Sequence, residues 1–147
     1  MILLRPEGAR RSGNPILEIF KNTKRIAVVG LSSKPHRPSF EVSGYLLRAG
    51  YEIVPVNPRE AEVHGLRAYA SLDEAPGEID VVEVFRKSED VPPVAEAAIR
   101  RRAKVLWLQQ GIVNEGAAEK ALAAGLTVVM DACMLVEHRR LMSQMGL

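Results

Sequence analysis

Arg25-Ile26-Ala27-Val28-Val29-Gly30-Leu31-Ser32-Ser33-Lys34-Pro35-His36-Arg37-Pro38-Ser39 decides how the rest of the chain is read. An apolar run ends at Gly30, a loop of small, polar and basic residues follows, and a helical pattern starts at Ser39. Strand, turn and helix at this spacing open a nucleotide-binding α/β unit. A helix N-terminus presents unpaired N–H groups and the positive end of a dipole, so an anionic phosphate sits well there. Gly30 can take backbone angles closed to other residues and leaves room for a ligand. Ser32, Ser33 and Ser39 offer donors, and Lys34 and Arg37 add charge. The Gly-x-Gly-x-x-Gly fingerprint is absent, because the next glycine is Gly44, inside the helical pattern. No Gly-Lys-Ser/Thr occurs either. On this loop alone, an ordinary βα turn with solvated charges stands level with a phosphate site.

Working outward, the chain alternates. Asn14-Pro15 is a helix start, an N-cap followed by proline at the first helical position. Strands are expected over 25–30, 51–56, 80–85, 104–108 and 126–130, with 66–69 as a short third strand after a Val63-His64-Gly65 turn. Helices are expected over 39–49, 92–102 and 114–124. Ser71 is expected to cap a short helix, and Asp131 or Cys133 to open a last helix ending near Ser143. Residues 1–13 read as a loose arm or an added edge. Continuous apolar strands between helices predict an α/β fold, Rossmann-like, with a mostly parallel sheet and helices on both faces. The 147 residues are expected to form one domain.

Ligands of such sheets bind outside the carboxyl ends of the strands, here the loops 30–39, 57–60, 85–88, 109–111 and 131–133. After the second strand, where an acid often grips a ribose, stand Asn57, Pro58 and Arg59; arginine there would attract a phosphorylated ribose. Asn57-Pro58 alone also reads as a strand stop. Phe85, Arg86 and Lys87 follow the fourth strand, as a phosphate contact or as solvated charge. Gln109, Gln110 and Gly111 follow the fifth.

Composition removes several classes. Twenty lysines and arginines against 18 acids leave a charge of +2, which argues against a general nucleic-acid binder. No apolar run approaches membrane-spanning length. One cysteine, Cys133, excludes an internal disulfide and, with the absence of a long apolar leader, suggests a cytoplasmic protein. His36, His64 and His138 have no metal-ligand spacing with Cys133, and His138 reads as a surface or cap residue. No catalytic constellation is visible, and Cys133 reads first as a packed thiol.

The chain resembles the small single-domain CoA-binding proteins related to the N-terminal CoA-binding domain of the succinyl-CoA synthetase α subunit. The resemblance rests on Val28-Val29-Gly30-Leu31-Ser32 with Pro35 and Ser39, and on Val54-Pro55-Val56-Asn57-Pro58. Val63-His64-Gly65, Tyr69 with Ser71-Leu72, and Asp80-Val81-Val82-Glu83-Val84-Phe85-Arg86 continue it. Trp107-Leu108-Gln109-Gln110-Gly111 and Asp131-Ala132-Cys133-Met134 complete it. It implies coenzyme A or an acyl-CoA as ligand, with Gly30, Ser32, Ser33 and Lys34 at the pyrophosphate. Asn57, Pro58 and Arg59 would meet the adenosine 3′-phosphate end, and Gln109, Gln110 and Gly111 would lie along the ligand. Ligase activity does not carry over, because the synthetase uses a phosphorylated histidine of a second domain. A protein partner is not indicated. An NAD(P)-binding oxidoreductase-type domain is the alternative, weakened by the missing fingerprint and by Asn57.

Overall fold

The computed structural model describes residues 1–9 and 13–144. In chain order the elements are β1 (Ile2–Leu4), α1 (Pro15–Asn22), β2 (Arg25–Val29), α2 (Pro38–Arg48), β3 (Glu52–Val56), β4 (Glu62–Val63) and β5 (Leu66–Arg67). They continue as β6 (Val81–Val84), α3 (Val91–Arg100), β7 (Val105–Leu108), α4 (Glu115–Ala123), β8 (Thr127–Met130) and α5 (Met134–Gln144).

The unbroken apolar run of β2 is buried because the strand lies inside the sheet and is covered twice. It pairs in parallel with β3 on one side and β6 on the other. Ala27 and Val29 face a layer built with α3 and α4, while Ile26 and Val28 face one built with α1, α2 and α5. The main sheet has six strands in the order β1-β8-β7-β6-β2-β3, all parallel except β1. The fold is therefore α/β and Rossmann-like, with helices on both faces.

Local chemistry sets the ends of the helices. The Asn14 carboxamide oxygen accepts from the N–H groups of Ile16 and Leu17 at 3.1 and 3.2 Å, a cap worth about 1 kcal/mol. Asn114 caps α4 in the same way through Ala117 at 2.9 Å. Helix α2 starts one residue before the expected Ser39, since Pro38 carries the preset φ of a first helical position. Ser71 precedes a short 3₁₀ turn at Leu72–Glu74, and its side chain makes no capping bond.

One open reading is decided and one expectation corrected. Of the loose arm and the added edge expected for the first segment, residues 2–4 form the edge: Ile2–Leu4 pairs antiparallel with β8, with Leu3 and Leu4 packing on opposite layers. Residues 10–12 of that segment lie outside the described residues. The expected third strand over 66–69 is split. His64 and Gly65, at φ 56° and 75°, make a tight turn that folds Leu66–Arg67 back on Glu62–Val63. Only Tyr69 reaches the main sheet, through a parallel bridge to Val56. Counted with that bridge, the parallel strands run 3-2-1-4-5-6, and the order reverses beside β2.

Candidate functional site

The carboxyl ends of the parallel strands open onto a cleft of about 770 Å³. Neighbouring strands lie about 4.8 Å apart, so the edge from β3 to β8 extends roughly 19 Å. Every site residue expected from the sequence lines the cleft except Pro58, Lys87 and Gly111. Pro58 shapes the turn after β3, where Glu60 N–H returns to the Asn57 carbonyl at 3.2 Å. Gly111 takes φ 84°, and its N–H is held by the Asp131 carboxylate at 2.7 Å. Both act on loop shape.

Gly30 sits at φ 88°, where side chains are strained. The space that a side chain would need is filled by protein. A Cβ would run into the Phe85 carbonyl oxygen and stand 3.2 Å from its carbon. Gly30 is thus required first for the approach of the segment that follows β6. Its N–H donates to the Val56 carbonyl at 2.8 Å, tying the ends of β2 and β3 together. Asn57, also buried, reinforces this tie: its amide donates to the Leu31 carbonyl and its oxygen accepts from Arg59 N–H, both at 3.0 Å.

The loop before α2 presents three successive N–H groups, each held by a side-chain oxygen. Ser32 N–H donates to Ser39 Oγ at 3.0 Å and Lys34 N–H to Ser32 Oγ at 3.1 Å. Between them, Ser33 N–H donates to Glu60 Oε2 at 2.6 Å and Ser33 Oγ to Glu60 Oε1 at 2.9 Å. The Ser33 backbone donor, then its hydroxyl, hold the Glu60 carboxyl below its usual range against a smaller opposing effect of burial, and the Lys34 charge adds to this. Among the described residues, Glu60 is the only acid lining the cleft, beside four cations, Lys34, Arg37, Arg59 and Arg86. None of the four makes an ion pair among the described residues.

Toward β7 and β8 the lining changes to Gln109, Gln110, Ile112 and Cys133. Gln109 is buried, and its amide donates to Glu83 Oε2. Glu83 lies in mid-strand on β6 with no exposure, and burial pushes its carboxyl up to about 8. Its Oε1 is the buried side-chain polar atom left without a hydrogen-bond partner among the described residues. A carboxyl so placed is held in the neutral acid form at pH 7.

A family model described as a CoA binding domain matches residues 24–139. The chain belongs to the CoA-binding domain family. It is 51% identical over 123 residues to the uncharacterized protein YneT of Bacillus subtilis, spanning 84% of this chain and 91% of that one. Among solved structures it resembles a hypothetical protein of Pyrococcus horikoshii at TM-score 0.86 and 41% identity, over 97% of this chain and 99% of the other. A 67-residue stretch is 43% identical to the α subunit of the ADP-forming acetate–CoA ligase II of Pyrococcus furiosus. That match takes in 45% of this chain and only 15% of the ligase subunit.

Against this family background, two residues without a reading in the sequence stand out, Glu60 and Glu83. Glu60 lies in the 57–60 loop, but its tie to Ser33 is tertiary and leaves no local signal. The only sequence signal of Glu83 is an acid inside a run of valines. Cys133 lines the cleft and also packs on the α1, α2 and α5 layer. His138, expected as a surface or cap residue, is buried within α5 instead. Phe20, Tyr45 and Tyr51 surround its ring edge-on, and Tyr45 Oη lies 2.7 Å from its Nδ1. Its apolar setting holds its pKa below the usual histidine range.

Proposed function

We propose that this protein binds coenzyme A or an acyl-CoA in the cleft and performs no catalysis by itself. The observation that carries the reading is four cations along one edge that make no ion pair among the described residues, with a single acid lining the cleft beside them. Their order suits the parts of the ligand. Arg59, after β3, serves the 3′-phosphate of the adenosine end. Lys34 and Arg37, before α2, serve the pyrophosphate, aided by the helix dipole. The pantetheine arm, with its amides and apolar carbons, then runs over Gln109 and Ile112 toward Cys133. Membership of the CoA-binding domain family supports the same ligand. Among the described residues, no histidine lines the cleft beside Cys133 as a base for its thiol.

Glu60 is the one feature that suits an NAD ribose, and it gives the oxidoreductase-type reading its remaining support. Calorimetry on ligand-stripped protein separates the two. CoA and acetyl-CoA should bind, dephospho-CoA more weakly, and NADH and NADPH weakest. Tighter binding of either nicotinamide nucleotide than of CoA would overturn the proposal, as would no heat from any CoA.

A further inference from the structure

Glu60 occupies the loop in the way a ligand phosphate would. Its two oxygens take the N–H and the hydroxyl of the same residue, Ser33, at 2.6 and 2.9 Å. The flanking N–H groups, of Ser32 and Lys34, are held by neutral serine hydroxyls. Ser33 is therefore the point on this loop where the protein seats an anion of its own. We infer that Glu60 is an internal competitor for the anion seat of the cleft, so that a phosphate group binds there only as the Glu60 carboxylate leaves.

The inference rests on the proposal that the cleft takes a phosphorylated ligand, and it adds what sets the affinity. A carboxylate left against Ser33 would face an incoming phosphate at close range, and like charges at such distances repel. Glu60 can leave because it sits on an exposed turn, where its charge is readily solvated. The turn itself is held by other bonds, Glu60 N–H to the Asn57 carbonyl at 3.2 Å and Arg59 N–H to Asn57 Oδ1 at 3.0 Å. Removing the carboxylate therefore leaves the loop after β3 intact. Two other roles for Glu60 predict the opposite sign. A clamp that prearranges the loop, or a partner for a ligand hydroxyl, would make its removal weaken binding.

The test titrates CoA and inorganic pyrophosphate into the wild type, Glu60→Ala, Glu60→Gln and Glu62→Gln. Binding is followed by calorimetry and by the Ser33 amide resonance. Glu62 is an exposed acid in β4 and has no contact with Ser33 among the described residues, so its variant controls for net charge. Glu60→Ala should tighten pyrophosphate about fivefold, the upper range for an exposed charged contact. Glu60→Gln should fall between it and the wild type, and Glu62→Gln should match the wild type. Unchanged or weaker pyrophosphate binding in Glu60→Ala overturns the inference, and so does equal tightening in Glu62→Gln. Failure of pyrophosphate to move the Ser33 amide in any variant overturns it too. CoA that binds no better than pyrophosphate overturns the ligand proposal instead, while leaving the pyrophosphate comparison to decide Glu60.

Discussion

Two carboxyl groups three residues apart, Asp80 and Glu83, show how differently the two ends of the sheet are built. Asp80 stands where β6 begins and lines a cavity of about 630 Å³ at the amino-end edge. Burial alone would raise its pKa, but the N–H groups of Lys24 and Arg25, at 2.9 and 3.0 Å, and the Lys104 ammonium, at 3.3 Å, together hold it low. Glu83 lies in mid-strand, below the carboxyl-end cleft. Among the described residues its carboxyl has one hydrogen bond, from Gln109, and burial drives it the opposite way. At the amino end, the charge of Asp80 is matched within the protein. At the carboxyl end, the cleft cations make no ion pair among the described residues and stand above a neutral acid. A cavity of similar size exists at both ends, so volume does not tell them apart. Cations without ion pairs among the described residues do.

The comparison can be broken most severely through pH. The folded pKa of Glu83, about 8, lies above its ordinary value of 4.5. The stability that goes with the neutral acid is fully present below pH 4.5 and is lost as pH rises through about 8. The loss should approach about 1.4 kcal/mol per pH unit within that window. Glu83→Gln keeps the partner of Gln109 without the proton, so urea unfolding of this variant should lack the slope. Parallel stability curves for wild type and variant between pH 5 and pH 8 would show that Glu83 is not held neutral. His138 adds a loss on the other side, since a group with a depressed folded pKa loses its contribution as pH falls below its ordinary value of 6.5.

The next largest effect contrasts two glycines. Gly30→Val at the carboxyl end meets the Phe85 backbone, which cannot swing aside, and should cost about 3 kcal/mol or more. Gly77→Ala at the amino end has a similar φ of 79°, but its Cβ meets the Arg25 side chain at 2.8 Å, which can move. It should cost about 1 kcal/mol. Equal denaturation midpoints for the two variants would remove the close strand approach as the reason for Gly30.

The smallest effect separates ligand binding from stability. Arg59→Ala should weaken CoA about tenfold, the loss of one charge-assisted contact, while barely touching dephospho-CoA or the unfolding midpoint. Asp80→Ala should do the reverse, costing about 2 kcal/mol of stability through the orphaned Lys24 and Arg25 N–H groups and sparing CoA. Equal losses of CoA and dephospho-CoA in Arg59→Ala would take Arg59 away from the 3′-phosphate.

The sequence by itself determined the five long parallel strands, their alternation with helices and the loops of the cleft. These follow from chain order: an apolar run too long for one-sided burial must lie inside a sheet, and parallel strands put all their following loops on one edge. Asn14-Pro15 and Asn114 were legible as helix starts because a cap acts within its own first turn. The tertiary structure alone decided what the groups on those loops do. Glu60 meets Ser33 from 27 residues away. Gly111 is turned to Asp131 across 20 residues, and His138 reaches Tyr45 across 93. The split of the third strand came from a local turn, but the bridge at Tyr69 came from the edge that β3 left open. A carboxylate shows its charge in sequence, whereas its partner, its burial and hence its protonation belong to the packed neighbours. That is why Asp80 and Glu83, both acids in one strand motif, looked alike until the chain was folded.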